Sequence, residues 1–282
     1  MLYLQLRCCS VLLILVMLSC TEVKRQDGTI EQDKLSENHA FNKELLIPIG
    51  PDIIAAYAMI AEGGDRKETV IFISGYPGND SNFDLAMDIR ASGKNAFMFN
   101  HRGAWGSQGV YSYSHCLEDV DAIVKFLCDA AIFDQLRVDT LDFTLLGRSL
   151  GGGVALIQGS LNKKVSSIIA ISSVNYGDLM KDYQSLDELG GFKKYMKKQI
   201  MMNHEIDEFL LELLENKDKF NILTYAKELS DKRVLFIEDS EKNKNWKDQL
   251  IDIETILLGS DHNFINKRDQ MIGIIVEWIH DE

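Results

Sequence analysis

Five residues, Gly147-Arg148-Ser149-Leu150-Gly151, constrain this chain more than any others. An apolar run, Leu141 to Leu146, leads into them, and a helix-like run, Gly152 to Gly159, leads out. A Gly-x-Ser-x-Gly segment between a strand and a helix forces its serine onto a sharp, strained turn, and the hydroxyl then points out of the sheet edge. The flanking positions need glycine because side chains there would collide with the neighbouring strand and helix. Ser149 is therefore the candidate nucleophile.

The surrounding pattern alternates. Strands are predicted near 43–48, 52–60, 69–74, 95–100, 141–146, 165–172, 233–237 and 253–258. Helices are predicted near 82–92, 115–131, 150–160, 243–250 and 266–281. Alternation of this kind argues for an α/β fold, a mostly parallel central sheet with helices on both faces.

An elbow serine needs a histidine base and an acid, in the chain order Ser, acid, His. The chain supplies Leu257-Leu258-Gly259-Ser260-Asp261-His262-Asn263-Phe264, with His262 in the loop after the last strand. With these two motifs the sequence resembles the α/β-hydrolase superfamily over about residues 43–282. It resembles small serine hydrolases of the serine-aminopeptidase and dienelactone-hydrolase kind. Two further loops extend the resemblance. Asn100-His101-Arg102-Gly103-Ala104-Trp105-Gly106-Ser107-Gln108-Gly109 is similar to the Asp-x-Arg-Gly-x-Gly-x-Ser-x-Gly loop of the superfamily, with Asn100 in place of Asp. Arg102 is expected to tie backbone carbonyls or an acid together there. Ser74-Gly75-Tyr76-Pro77-Gly78 stands where relatives carry His-Gly-x. The resemblance implies an oxyanion hole made of the Tyr76 and Leu150 backbone N–H groups, each such donor being worth about 3–4 kcal/mol in a transition state.

The acid is less legible. Relatives place it shortly after the next-to-last strand, which here is Val234 to Ile237, followed by Glu238-Asp239-Ser240-Glu241-Lys242-Asn243. The usual spacing falls on Lys242. Glu241 is preferred, its longer arm offsetting a loop one residue shorter, and Asp239 stays open beside it. Asp178, after the preceding strand, is the outside choice, and Asp261 is expected to point away from its neighbour His262.

Residues 175–231 interrupt the alternation. Phe192, Tyr195, Met196 and Ile200 recur at helical spacing, as do Ile206, Phe209, Leu210, Leu213 and Leu214. The resemblance makes this a helical cap over the site. Lys193, Lys194, Lys197 and Lys198 form a basic strip beside the first stripe.

The N-terminus reads as a targeting segment. Arg7 is followed by the apolar run Val11 to Leu18, too short to span a bilayer, ending Met17-Leu18-Ser19-Cys20. This is similar to a bacterial lipobox, with Cys20 as the lipidated residue and the leucine displaced by one position. Residues 1–20 are thus read as a signal peptide, 21–42 as a polar tether and 43–282 as the α/β-hydrolase domain. The expected location is the cell envelope, held to a bacterial membrane by a lipid anchor. Cys8 and Cys9 belong to the signal. Cys116 and Cys128 lie twelve residues apart on one predicted helix, about 18 Å along its axis, too far to bond to each other.

The chain carries a net charge of −13, with Arg7 the one charge among residues 1–19. Such an acidic surface argues against nucleic-acid partners. No Cys-x-x-Cys or His-x-x-x-His spacing is present, so neither metal nor cofactor is expected. Two functions remain. One is a serine hydrolase acting on a small-molecule ester, thioester or amide. The other is a non-catalytic envelope lipoprotein that keeps the fold and binds a ligand or partner.

Overall fold

Strand-forming sequence and elbow meet in one sheet. The computed structural model describes residues 38–78, 82–251 and 253–281. The lipobox-like end at Cys20, and the signal and tether residues before 38, lie outside them. Residues Asn38–Glu282 group as one unit. Among the described residues there are eight strands: β1 (Phe41–Ile49), β2 (Asp52–Ile60), β3 (Lys67–Ile73), β4 (Asn95–Phe99), β5 (Val138–Arg148), β6 (Val165–Ile171), β7 (Arg233–Glu238) and β8 (Glu254–Leu257). Their spatial order is β1-β2-β4-β3-β5-β6-β7-β8. β2 is antiparallel to both its neighbours, and every pair from β4 to β8 is parallel. All eight lie where the sequence pattern predicts strands, although β1 begins at Phe41, inside the segment read as tether.

The inner strands are apolar on both sides because both faces are covered. One face packs on α1 (Phe83–Ala91) and α10 (Arg268–His280), through Leu85, Ile89, Met271, Ile275 and Trp278. The other packs on α2 (Tyr113–Leu127) and α4 (Leu150–Leu161), through Val120, Val124, Val154 and Leu156. A short helix, α3 (Ala130–Gln135), follows α2, whose C-cap is Cys128. Cys116 and Cys128 are free thiols.

Between β6 and β7 the chain is helical, as its apolar stripes require. α5 (Tyr176–Met180), α6 (Gly190–Met196), α7 (Ile206–Glu215) and α8 (Ala226–Leu229) are linked by 3₁₀ turns at 186–189 and 222–225. The stripes are divided. Met196, Phe209, Leu210 and Leu213 are buried, whereas Tyr195 is 47% and Ile200 90% exposed. Ile200 thus contributes to no core, and its turn is taken up below. α9 (Lys244–Lys247) closes the acid loop after β7.

Candidate active site

Ser149 follows the last residue of β5 and has φ +54° and ψ −118°, a conformation that costs a non-glycine residue of order 1–3 kcal/mol. Surrounding bonds enforce it. Its N–H donates to Ile171 O at 2.9 Å, and its carbonyl accepts from Val174 N at 3.0 Å and Gly152 N at 3.1 Å. The glycines are obligatory for the reason the motif implies. A Cβ on Gly147 would lie 2.1 Å from Gly151 O, and one on Gly151 would lie 2.2 Å from Ile73 O. The elbow is thus a crossing of three backbones with no room for side chains.

His262 stands in the loop between β8 and α10. Its Nδ1 is 2.9 Å from Asp239 Oδ2. A carboxylate only accepts, so Nδ1 is the donor, and in the neutral ring this tautomer leaves the lone pair on Nε2. Asp239 directly follows β7 and is itself held: its N–H donates to Ser172 Oγ at 3.2 Å, its Oδ1 accepts from Ser240 Oγ at 2.8 Å, and its carbonyl accepts from Ser260 N at 3.0 Å. Burial pushes its carboxyl up, but the bonds from His262 and Ser240 outweigh burial and hold it below the usual carboxylate value.

The structure brings Asp239, not Glu241, to the histidine. Glu241 lies in a 3₁₀ turn, exposed, with its carboxylate 4.0 Å from Lys244 Nζ. The reason is the period of the strand. Glu238 ends β7 facing inward to a buried ion pair with Lys247, so Asp239 faces the other way, toward β8's loop. Two residues later the chain has turned into solvent, and a longer side chain does not bring it back. Asp178 pairs with Lys181 at 2.7 Å, and Asp261 Oδ1 accepts from Asn263 N and Ile265 N. Neither meets the imidazole.

Tyr76 lines the cavity that holds Ser149 and His262, and Leu150 directly follows Ser149 in the chain. Leu150 is the first residue of α4, where a backbone N–H has no intrahelical partner. Tyr76 lies in the loop after β3, and its ring is part of the pocket wall. Ser149, His262, Tyr76, Tyr176, Phe192, Tyr195, Met196, Phe209, Leu210 and Leu213 enclose a cavity of about 200 Å³. Apart from His262 the lining consists of Ser149, tyrosines and apolar side chains, with no carboxylate, lysine or arginine. Burial, with the neighbouring tyrosines, raises the phenols of Tyr76 and Tyr176, so both stay protonated.

Three sets of contacts have no local signature in the sequence. Arg148 Nη2 donates to His262 O at 2.7 Å and to Asn263 Oδ1 at 2.6 Å, so the residue before the serine grips the histidine loop. The Tyr76 hydroxyl lies 2.9 Å from His204 Nε2. The backbone of 201–203 is laced to the arginine loop by Trp105 N to Met201 O, Asn203 N to Gly103 O and Tyr111 N to Asn203 O. Arg102 ties down an acid as expected, through Nε to Asp119 at 2.5 Å and Nη2 to Glu118 at 2.8 Å.

No family model matches the sequence, and no curated protein matches it. Solved structures do match. An esterase of Pyrococcus furiosus aligns over 86% of this chain and 90% of its own, with a TM-score of 0.59 at 17% identity. The esterase Est1E of Butyrivibrio proteoclasticus aligns over 84% and 97%, with a TM-score of 0.65 at 11% identity. A thioesterase domain from the curacin biosynthetic pathway aligns over 84% and 99%, with a TM-score of 0.58 at 13% identity. The chain has the α/β-hydrolase fold. At such identities the match speaks for architecture, and the chemistry rests on the residues above.

Proposed function

We propose that the protein is a serine hydrolase that cleaves a carboxylic ester, thioester or small amide through an acyl-enzyme on Ser149. The observation that carries this is the convergence, in one cavity, of a strained serine and a histidine already oriented by a buried carboxylate. The esterases and thioesterase that share the fold support the same class.

In this reading His262 Nε2 takes the Ser149 proton as Oγ attacks the substrate carbonyl. Asp239 holds the tautomer and stabilises the imidazolium. The N–H groups of Tyr76 and Leu150 receive the developing oxyanion. His262 then gives its proton to the leaving group, and water repeats the cycle on the acyl-enzyme. The uncharged wall of the cavity favours short to medium neutral acyl groups, because a buried, unpaired charge is costly. Export and anchoring through a lipid on Cys20 belong to the same proposal. Labelling with a fatty-acid analogue tests them, tagging the wild type and sparing Cys20→Ser.

The chemistry is tested with a fluorophosphonate probe. The wild type takes up one label, mapped to Ser149, and Ser149→Ala takes up none. Equal labelling of the two refutes the assignment and leaves the non-catalytic ligand-binding reading.

A further inference from the structure

The turn after α6 buries Met202 in the core but leaves most of its other side chains exposed. Residues 190–204 contain four lysines and no acid, in a chain of net charge −13. Lys193 pairs with Asp207 at 2.9 Å. Lys194, Lys197 and Lys198 are exposed, and among the described residues none of them has a carboxylate within ion-pair distance. Between and beyond them stand three exposed apolar side chains: Tyr195, Ile200 at 90% and Met201 at 49%. A single exposed apolar residue means little, but three interleaved with cations on one turn form a patch of mixed character. The patch is held in place, since 201–203 is bonded to 103–111. It also adjoins the cavity, because Phe192, Tyr195 and Met196 of the same helix line it.

We infer that this face of the cap docks on an anionic lipid surface. Charge complementarity selects the partner. Lysines attract lipid phosphates, while Ile200 and Met201 are long enough to enter the headgroup–acyl boundary between them. Elsewhere the acidic surface is repelled by the same membrane, so docking is oriented and turns the cavity toward the lipid. The last point rests on the hydrolase reading; the docking itself does not.

The experiment is co-sedimentation of the full chain with vesicles of phosphatidylcholine alone and of phosphatidylcholine mixed with phosphatidylglycerol. The quantity read is the gain in binding on adding the anionic lipid, which cancels any contribution from the N-terminal apolar run. Each lysine near an anionic surface is worth about 1 kcal/mol, so the triple variant Lys194→Gln, Lys197→Gln, Lys198→Gln should lose on the order of 100-fold of that gain. High salt should do the same to the wild type. Ile200→Asp should weaken binding to the mixed vesicles at any salt. Thermal melting of each variant checks folding. Ser149→Ala should bind as the wild type does, which separates this inference from the proposed chemistry. A gain that survives in the triple variant overturns the inference. So does an equal loss on both kinds of vesicle, or a wild type that binds a soluble acidic polypeptide and ignores the mixed vesicles.

Discussion

Replacing Asp239 by asparagine is the sharpest test of the site, because the side chain keeps its shape and loses one property. In the native arrangement Oδ2 accepts from His262 Nδ1 at 2.9 Å and Oδ1 accepts from Ser240 Oγ at 2.8 Å. With Ser240 still donating to the amide oxygen, the introduced amide would present its NH₂ to Nδ1. The ring then carries its proton on Nε2 and has no lone pair for the Ser149 hydroxyl. In triads of this kind the wrong tautomer lowers turnover about 10⁴-fold, on the order of 5 kcal/mol of transition-state stabilisation. KM should change little, since Asp239 is not part of the cavity wall. Glu241→Gln is the control. An exposed carboxylate 4.0 Å from Lys244 belongs to the class of surface pairs that contribute almost nothing, so turnover should stay within about twofold of wild type. The assay is steady-state hydrolysis of a p-nitrophenyl ester, alongside the rate of fluorophosphonate labelling, with melting curves to establish folding. The reasoning is refuted if Asp239→Asn keeps wild-type turnover, or if Glu241→Gln loses as much.

Arg148→Met should lower kcat about 10–100-fold with KM nearly unchanged, since it frees the histidine loop to shift by a fraction of an ångström; recovery with added guanidinium in a kcat assay checks this. His101 is buried beside Asp119 and Cys116. Burial pulls its imidazolium down, but Cys116 and Asp119 override that and raise its pKa to about 10. A raised histidine pKa stabilises fully below the unfolded value of about 6.5 and is lost as pH rises through about 10. The melting temperature should therefore fall between those limits, and His101→Gln should flatten the decline. Phe192→Ala and Phe209→Ala widen the cavity and should shift the best p-nitrophenyl ester toward longer acyl chains while Ser149 still labels; an unchanged chain-length profile would make these residues packing only.

Local patterns determined much of this molecule. A strand reveals itself through an apolar run or a two-residue alternation, and every strand of the sheet announced itself in one of those ways. The elbow is visible because backbone crowding at Gly147 and Gly151 excludes every other residue, which turns a three-dimensional constraint into letters. The loop holding His262 is marked by position, just after the last strand. Cap helices show through the spacing of Phe209, Leu210 and Leu213. The acid was different. Glu241 and Asp239 are two residues apart in a polar loop, and only the pairing of β7 with β8, Glu238 opposite Leu257, decides which of them faces the histidine. The same holds for Arg148 on the His262 loop and Tyr76 on His204, partners 114 and 128 residues apart in the chain. Such contacts leave no periodic trace, because they depend on where separate elements end in space and not on the order of residues within any one of them.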